Sequence, residues 1–203
     1  RSRKLSAAMK VRSTVMKAFR DYYYSKGFHE MAPPIFTPTA CEGGSTLFEV
    51  KYFDKKAYLT QSWQLYAEAA IFALEKLFCI SPCFRAERSK TSRHLAEFWM
   101  AEMEAAWFNL DLLIKSAEEC VSFIVQSVVK ENANELKLLG QDIEKLKKIK
   151  APFYRLKYSE VLKMLKEKEK LNIPFGKDLR TIEEDLIMKY FDKPLIVTHY
   201  PKE

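Results

Sequence analysis

From Ser6 to Lys26 the apolar positions Val11, Val15, Phe19 and Tyr22 recur at intervals of four, four and three, the spacing of one face of an α-helix, and Gly27 follows as a C-terminal stop. The next stretch, GFHEMAPPIFTPT, carries Pro33, Pro34 and Pro38. A proline disfavours helix in the residue before it, so this stretch reads as extended, an edge or interface strand. VKYF and KAYLT flank Asp54 and Lys55 as the arms of a hairpin, and Tyr66, Ala70, Ala73 and Leu77 predict a second helix. LFCISPCFRAE is a strand, and AEFWMAEMEAAWF alternates as another. A helix then starts near Asn109 or Asp111, with Leu113, Ala117, Cys120, Ile124 and Val128 on one side. Residues 131 to 177 read as a lysine-rich helical insertion with a turn at Asn172 to Gly176, and PLIVTHY as one more strand. The expected class is α/β of the α+β kind: an antiparallel sheet with helices packed against it.

Composition narrows the setting. With 203 residues, 48% of them hydrophobic, the chain can bury the core of one substantial domain. Its apolar runs are too short to cross a bilayer, and RSRKLSAAMKVRS lacks the apolar segment of a secretory signal, so a cytoplasmic setting without a membrane partner is expected. Cys41, Cys79, Cys83 and Cys120 form no C-x-x-C pair and read as free thiols. A net charge of +7 favours a polyanionic partner such as RNA or a nucleotide, although much of it falls in the lysine-rich segment, which can equally be a solvated face.

The densest chemistry lies in FRAERSKTSRHLAEFW, residues 84 to 99. If 84 to 88 and 96 to 104 are antiparallel strands, alternation puts Arg85 and Glu87 on one face of the first, and Phe98, Met100, Glu102 and Glu104 on one face of the second. Trp99 then faces the other way and belongs to the core. A guanidinium, an aromatic ring and carboxylates on one sheet, with Lys90, Arg93 and His94 on the loop above, suit a nucleoside triphosphate: cations for phosphates, a ring for the base, acceptors for amino groups. Taken alone, Arg85 and Glu87 would be a surface pair worth under about 1 kcal/mol. His29 and His199 are read as structural or surface residues.

The F-R-x-E pattern, the loop and the returning strand resemble motif 2 of the class II aminoacyl-tRNA synthetases, here about residues 79 to 108. GFHEMAPPIF and the helix before it resemble motif 1, about 11 to 38, which forms the dimer interface in that family. ACEGGSTLFEV and AYLTQSWQLYAEAA resemble the amino-acid pocket of its aspartate, asparagine and lysine branch, and RAERSKTSRHLAEFWMAEME is similar to the asparaginyl members. The resemblance implies that residues 1 to 203 are a catalytic-domain portion, truncated before motif 3 and without the anticodon-binding barrel, that forms a homodimer through motif 1. It also implies ATP and Mg2+, the magnesium ligands being expected beyond Glu203, with asparagine and tRNA(Asn) as the other substrates.

Carried over by residue, the resemblance gives Arg85 the catalytic role at the ATP α-phosphate. Glu87 goes to the adenine amino group or to ordering the loop, and Phe98 to stacking on adenine. Arg93 and His94 go to the distal phosphates, with Arg88 and Lys90 as alternatives on the same loop. Glu42 would receive the substrate α-ammonium, Ser62 and Gln64 would line the pocket, and Glu102 would accept from the side-chain amide of asparagine. Aspartate-specific relatives carry a lysine three residues after the glutamine of Q-S-x-Q, where QSWQLYAE has Ala67. The implied activity is asparagine activation for tRNA charging. An amide-forming synthetase that adenylates aspartate, and a non-catalytic interaction protein on the same fold, are the alternatives.

Overall fold

The computed structural model describes residues 2–38, 47–87 and 95–202. The chain divides into two compact units, Phe19–Phe108 and Arg1–Ala18 with Asn109–Glu203.

Helix α1, Arg3–Ser25, ends as its sequence requires. Gly27 adopts a φ of +76°, its N–H donates to the Tyr24 carbonyl, and the Phe28 N–H reaches back to the Tyr23 carbonyl, both at 3.1 Å. These two bonds close a Schellman motif, and the Phe28 ring packs on Tyr23 at 5.0 Å, the apolar contact that accompanies such an end. The buried stripe of α1 differs from the expected one. Val15 is exposed and Val11 half-buried, whereas Ala7, Thr14, Ala18, Phe19, Tyr22 and Tyr23 are buried. The small Ala and Thr positions allow close packing where the sequence pattern favoured the larger valines.

Strand β1 is His29–Glu30 and β2 Phe36–Thr37, so the proline-bearing stretch is extended and touches two sheets. Strands β3, Glu49–Tyr52, and β4, Lys55–Leu59, form the expected hairpin, and β2 pairs antiparallel to the other side of β4. Helix α2 spans Gln64–Leu74 and stops at Glu75, whose φ is +58°; Leu77, expected on the helix, is instead buried in strand β5, Lys76–Phe84. Strand β6, Glu97–Ala105, pairs antiparallel with β5 over its whole length, from Lys76 opposite Ala105 to Phe84 opposite Glu97. Against the other edge of β5 lies β1, and it is parallel. A parallel neighbour needs a crossover, here supplied by the β3–β4 hairpin and α2 between the two strands. Phe19, Tyr23 and Phe28 gather around this sheet, with Tyr23 stacked on Phe78 at 5.6 Å.

The second unit holds helix α3, Leu110–Glu131, capped by Asn109, whose side-chain oxygen accepts from the Leu112 N–H at 2.9 Å. Its buried positions are Ile114, Ser116, Glu118, Cys120 and Val128, while the expected Leu113 and Ala117 are exposed. Glu118 explains the rotation. Its carboxylate takes a two-pronged bond from Arg155 (Nε to Oε1 and Nη2 to Oε2, both 3.0 Å) and a bond from the Phe153 N–H at 3.3 Å, so a charge missing from any apolar stripe is held inside. Helices α4, Ala133–Leu138, and α5, Ile143–Lys147, follow, then strand β7, Tyr154–Lys157, helix α6, Tyr158–Glu169, helix α7, Thr181–Met188, and strand β8, Leu195–Thr198. Sequence reading left out β7 and α7. The segment 131–177 does not close on itself: Tyr158, Val161 and Leu165 of α6 pack with Leu179 and Ile187, and β7 pairs parallel with β8.

Candidate active site

The β5–β6 hairpin fixes one face by its register. Leu77, Cys79, Ser81 and Cys83 stand opposite Glu104, Glu102, Met100 and Phe98 in turn, so the four β6 residues expected to share a face do share it. The β5 half of this face is its floor, and all four of its residues are buried. Ser81 Oγ lies 3.6 Å from Cys79 Sγ and 4.0 Å from Cys83 Sγ. Burial pushes the Cys79 thiol up to about 12, so it stays neutral at physiological pH and serves as packing.

Arg85 follows the last residue of β5, yet its N–H still donates to the Ala96 carbonyl at 3.0 Å, which extends the ladder by one bond. Its guanidinium stands 5.5 Å from the centre of the Phe98 ring, a cation–π arrangement that pairs the expected phosphate ligand with the expected base platform. Glu87 is exposed. Trp99, expected in the core, is 49% exposed on the opposite face. The aromatic cluster from α1 sits at the Phe78 end of the sheet. Glu42, Arg88, Lys90, Arg93 and His94 lie outside the described residues.

The turn before α2 brings the remaining groups to β6. Ser62 Oγ donates to Glu102 Oε1 at 2.6 Å and accepts from the Gln64 N–H at 3.1 Å, and the Trp63 N–H faces Glu102 Oε2 at 3.4 Å. The Gln64 side-chain amide donates to Glu68, one helical turn on, at 2.9 Å. Burial first, and then the neighbouring carboxylates Glu68 and Glu102, hold the carboxyl of Glu104 above its usual range. A cluster of carboxylates on one face accepts from ammonium and amide groups and repels a carboxylate. Sequence reading placed Ser62, Gln64 and Glu102 here but missed Glu68. The spacing of four from Gln64 on a helix was the available signal.

Ala67 is completely buried with Trp63, Leu77 and Cys79. Trp63 fills the space beside it, so a lysine at 67 must bring an ammonium into a packed apolar cluster. Ala67→Lys should therefore destabilise the fold by about 3 kcal/mol or more, measured by urea unfolding. A variant as stable as the wild type would show that the side chain reaches the carboxylates without disturbing Trp63.

The β5–β6 hairpin thus carries an arginine over an aromatic ring at one end and a hydrogen-bonded carboxylate toward the other. The chain belongs to the tRNA synthetases class II (D, K and N), whose family model matches residues 1–203. It is similar to the asparagine–tRNA ligase of Pyrococcus furiosus, 46% identical over 203 residues, which are all of this chain and 46% of that protein. Asparaginyl-tRNA synthetase from Pyrococcus horikoshii complexed with asparaginyl-adenylate superposes with a TM-score of 0.93 at 46% identity, covering 99% of this chain and 46% of that one. The Entamoeba histolytica asparaginyl-tRNA synthetase in complex with asparaginyl-adenylate superposes at 0.83 with 30% identity, over 99% of this chain and 44% of its own. The chain thus spans a little under half the length of these relatives.

Proposed function

We propose that this chain is a catalytic-domain portion of an asparagine–tRNA ligase, which joins asparagine to ATP as asparaginyl adenylate and passes the asparaginyl group to tRNA(Asn). The observation that carries the choice of amino acid is Glu102, a carboxylate acceptor oriented by Ser62, together with Ala67, where the chain lacks the cation an aspartate side chain would need. An amide gains a charge-assisted hydrogen bond there, and a carboxylate is repelled.

In the activation step the asparagine carboxylate attacks the α-phosphorus and pyrophosphate leaves. Arg85 stabilises the charge that grows on the α-phosphate, and Phe98 carries the adenine ring beneath it. Glu87 takes the adenine amino group, Arg93 and His94 the distal phosphates, and Glu42 the α-ammonium. Ser62, Gln64 and Glu102 belong to the side-chain pocket. Catalysis is then positioning and electrostatics, without a covalent enzyme intermediate. Magnesium accompanies ATP in this reading. Among the described residues no group of three or more His, Cys, Asp and Glu side chains is placed to hold a metal ion. The 3′-terminal ribose hydroxyl of the tRNA completes the reaction.

The test is amino-acid-dependent ATP–pyrophosphate exchange on the full polypeptide that carries this chain. Asparagine should support exchange and aspartate should not; turnover that needs aspartate and ammonia would replace this reading with an amide synthetase.

Charging of tRNA goes with a cytoplasmic setting, and no described helix is long and apolar enough to cross a membrane. A homodimer through the motif 1 segment completes the proposal. Phe28 of that segment is buried within its own unit, while Ile35 and Phe36 are exposed and Phe36 meets Tyr52 of the β3–β4 hairpin at 5.7 Å. An apolar patch of this kind suits a two-fold contact. Phe36→Asp should weaken the dimer about tenfold or more in sedimentation velocity. A folded wild-type protein that sediments as a monomer at micromolar concentration would remove this interface.

A further inference from the structure

We infer that Ser62 is a positioning residue: it sets the selectivity for asparagine through Glu102 and does not itself contact the amino acid. The inference rests on the asparagine reading above and assigns Ser62 a place in it different from that of a pocket-lining ligand.

A serine hydroxyl has one proton and an ionised carboxylate only accepts, so the 2.6 Å contact commits the Ser62 proton to Glu102 Oε1. The same oxygen accepts from the Gln64 N–H at 3.1 Å. One hydroxyl, itself forty positions from Glu102 in sequence, therefore ties the carboxylate of β6 to the first residue of α2. The turn that presents this hydroxyl is itself anchored. The buried Thr60 hydroxyl donates to the Ser62 carbonyl at 2.7 Å, and the Trp63 ring is wholly buried. Ser62 is thus held from both sides.

The end torsion of a glutamate side chain is broad, so a carboxylate fixed at its stem can still turn its oxygens. With Oε1 bound to Ser62 and Oε2 facing the Trp63 N–H, Glu102 presents one orientation. An amide that donates to a fixed carboxylate gains a directed bond, and an incoming carboxylate meets charge that cannot swing away. Loss of the hydroxyl frees the carboxylate to turn. Both the attraction for the amide and the repulsion of the acid then weaken, so selectivity falls together with efficiency.

The experiment compares wild type, Ser62→Ala, Ser62→Thr, Glu102→Gln and the Ser62→Ala/Glu102→Gln double variant in the full polypeptide, by asparagine- and aspartate-dependent pyrophosphate exchange. Ser62→Ala should lower kcat/KM for asparagine about 10- to 100-fold, the range of a hydrogen bond to a charged group, and should narrow the asparagine-to-aspartate ratio while KM for ATP holds. Ser62→Thr, which keeps the hydroxyl, should restore the ratio. Because Ser62 works through Glu102, adding Ser62→Ala to Glu102→Gln should cost little more, a non-additivity that a merely structural role would not produce. Independent, additive losses would mean that Ser62 acts on the substrate or on the fold, and the inference fails. An unchanged ratio in Ser62→Ala overturns it as well, with the asparagine reading intact. A wild-type protein that activates no asparagine removes that reading and this inference with it.

Discussion

Arg85→Ala should lower the rate of adenylate formation by about 10² to 10³ while leaving asparagine affinity nearly unchanged, because the interaction lost is one made to charge that exists only in the transition state. The scaffold tolerates the change. The Arg85 backbone is pinned by its N–H to the Ala96 carbonyl, and the side chain contributes a guanidinium above the Phe98 ring without belonging to the buried core. Pyrophosphate exchange at saturating ATP separates the two effects. If exchange by the variant stays near normal, Arg85 is not the α-phosphate ligand and returns to being a residue at a strand end, stacked on an aromatic ring. A loss confined to KM for asparagine would point to a disturbed pocket at the other end of the hairpin.

Glu102→Gln should move selectivity more than rate. Asparagine and aspartate have almost the same shape, so size cannot separate them, but a polar pocket that leaves the wrong partner repelled or unpaired can reach a discrimination of about 10⁴. Glutamine keeps the volume of Glu102 while the charge that Ser62 orients disappears. The ratio of catalytic efficiencies for asparagine and aspartate should then fall by about 10² or more. An unchanged ratio would show that Glu102 is not the amide acceptor. Ala67→Lys is a poor route to the same question, since the buried Trp63 beside it turns a test of charge into a test of packing.

The site was legible in the sequence to the extent that its geometry follows from alternation. Period-2 spacing put Phe98, Met100, Glu102 and Glu104 on one face, and the register of β5 with β6 bears this out. The same rule failed for Trp99. Parity says which face a residue occupies; whether that face is covered depends on where α1 packs, which no local pattern encodes. The helix stripes show the same division. Gly27 ended α1 as expected because a Schellman turn is a local device, but the buried stripe of α1 runs through Ala7, Thr14 and Ala18, since close packing favours small residues where hydrophobicity alone favours Val11 and Val15. In α3 the buried Glu118 turns the inner face away from Leu113, because its partner Arg155 arrives from a strand 37 residues later.

By itself the sequence determined the two antiparallel hairpins, the end of α1, the start of α3 and the shared face of Phe98, Met100, Glu102 and Glu104, since each depends on residues close together in the chain. Only the tertiary structure decided that β1 runs parallel to β5, that β7 and β8 pair across α6 and α7, and that the Ser62 hydroxyl meets the Glu102 carboxylate. Strand partners and hydrogen-bond partners are chosen by how distant segments close around a shared core. A carboxylate on β6 carries no local sign of the serine, forty residues earlier, that holds it in place.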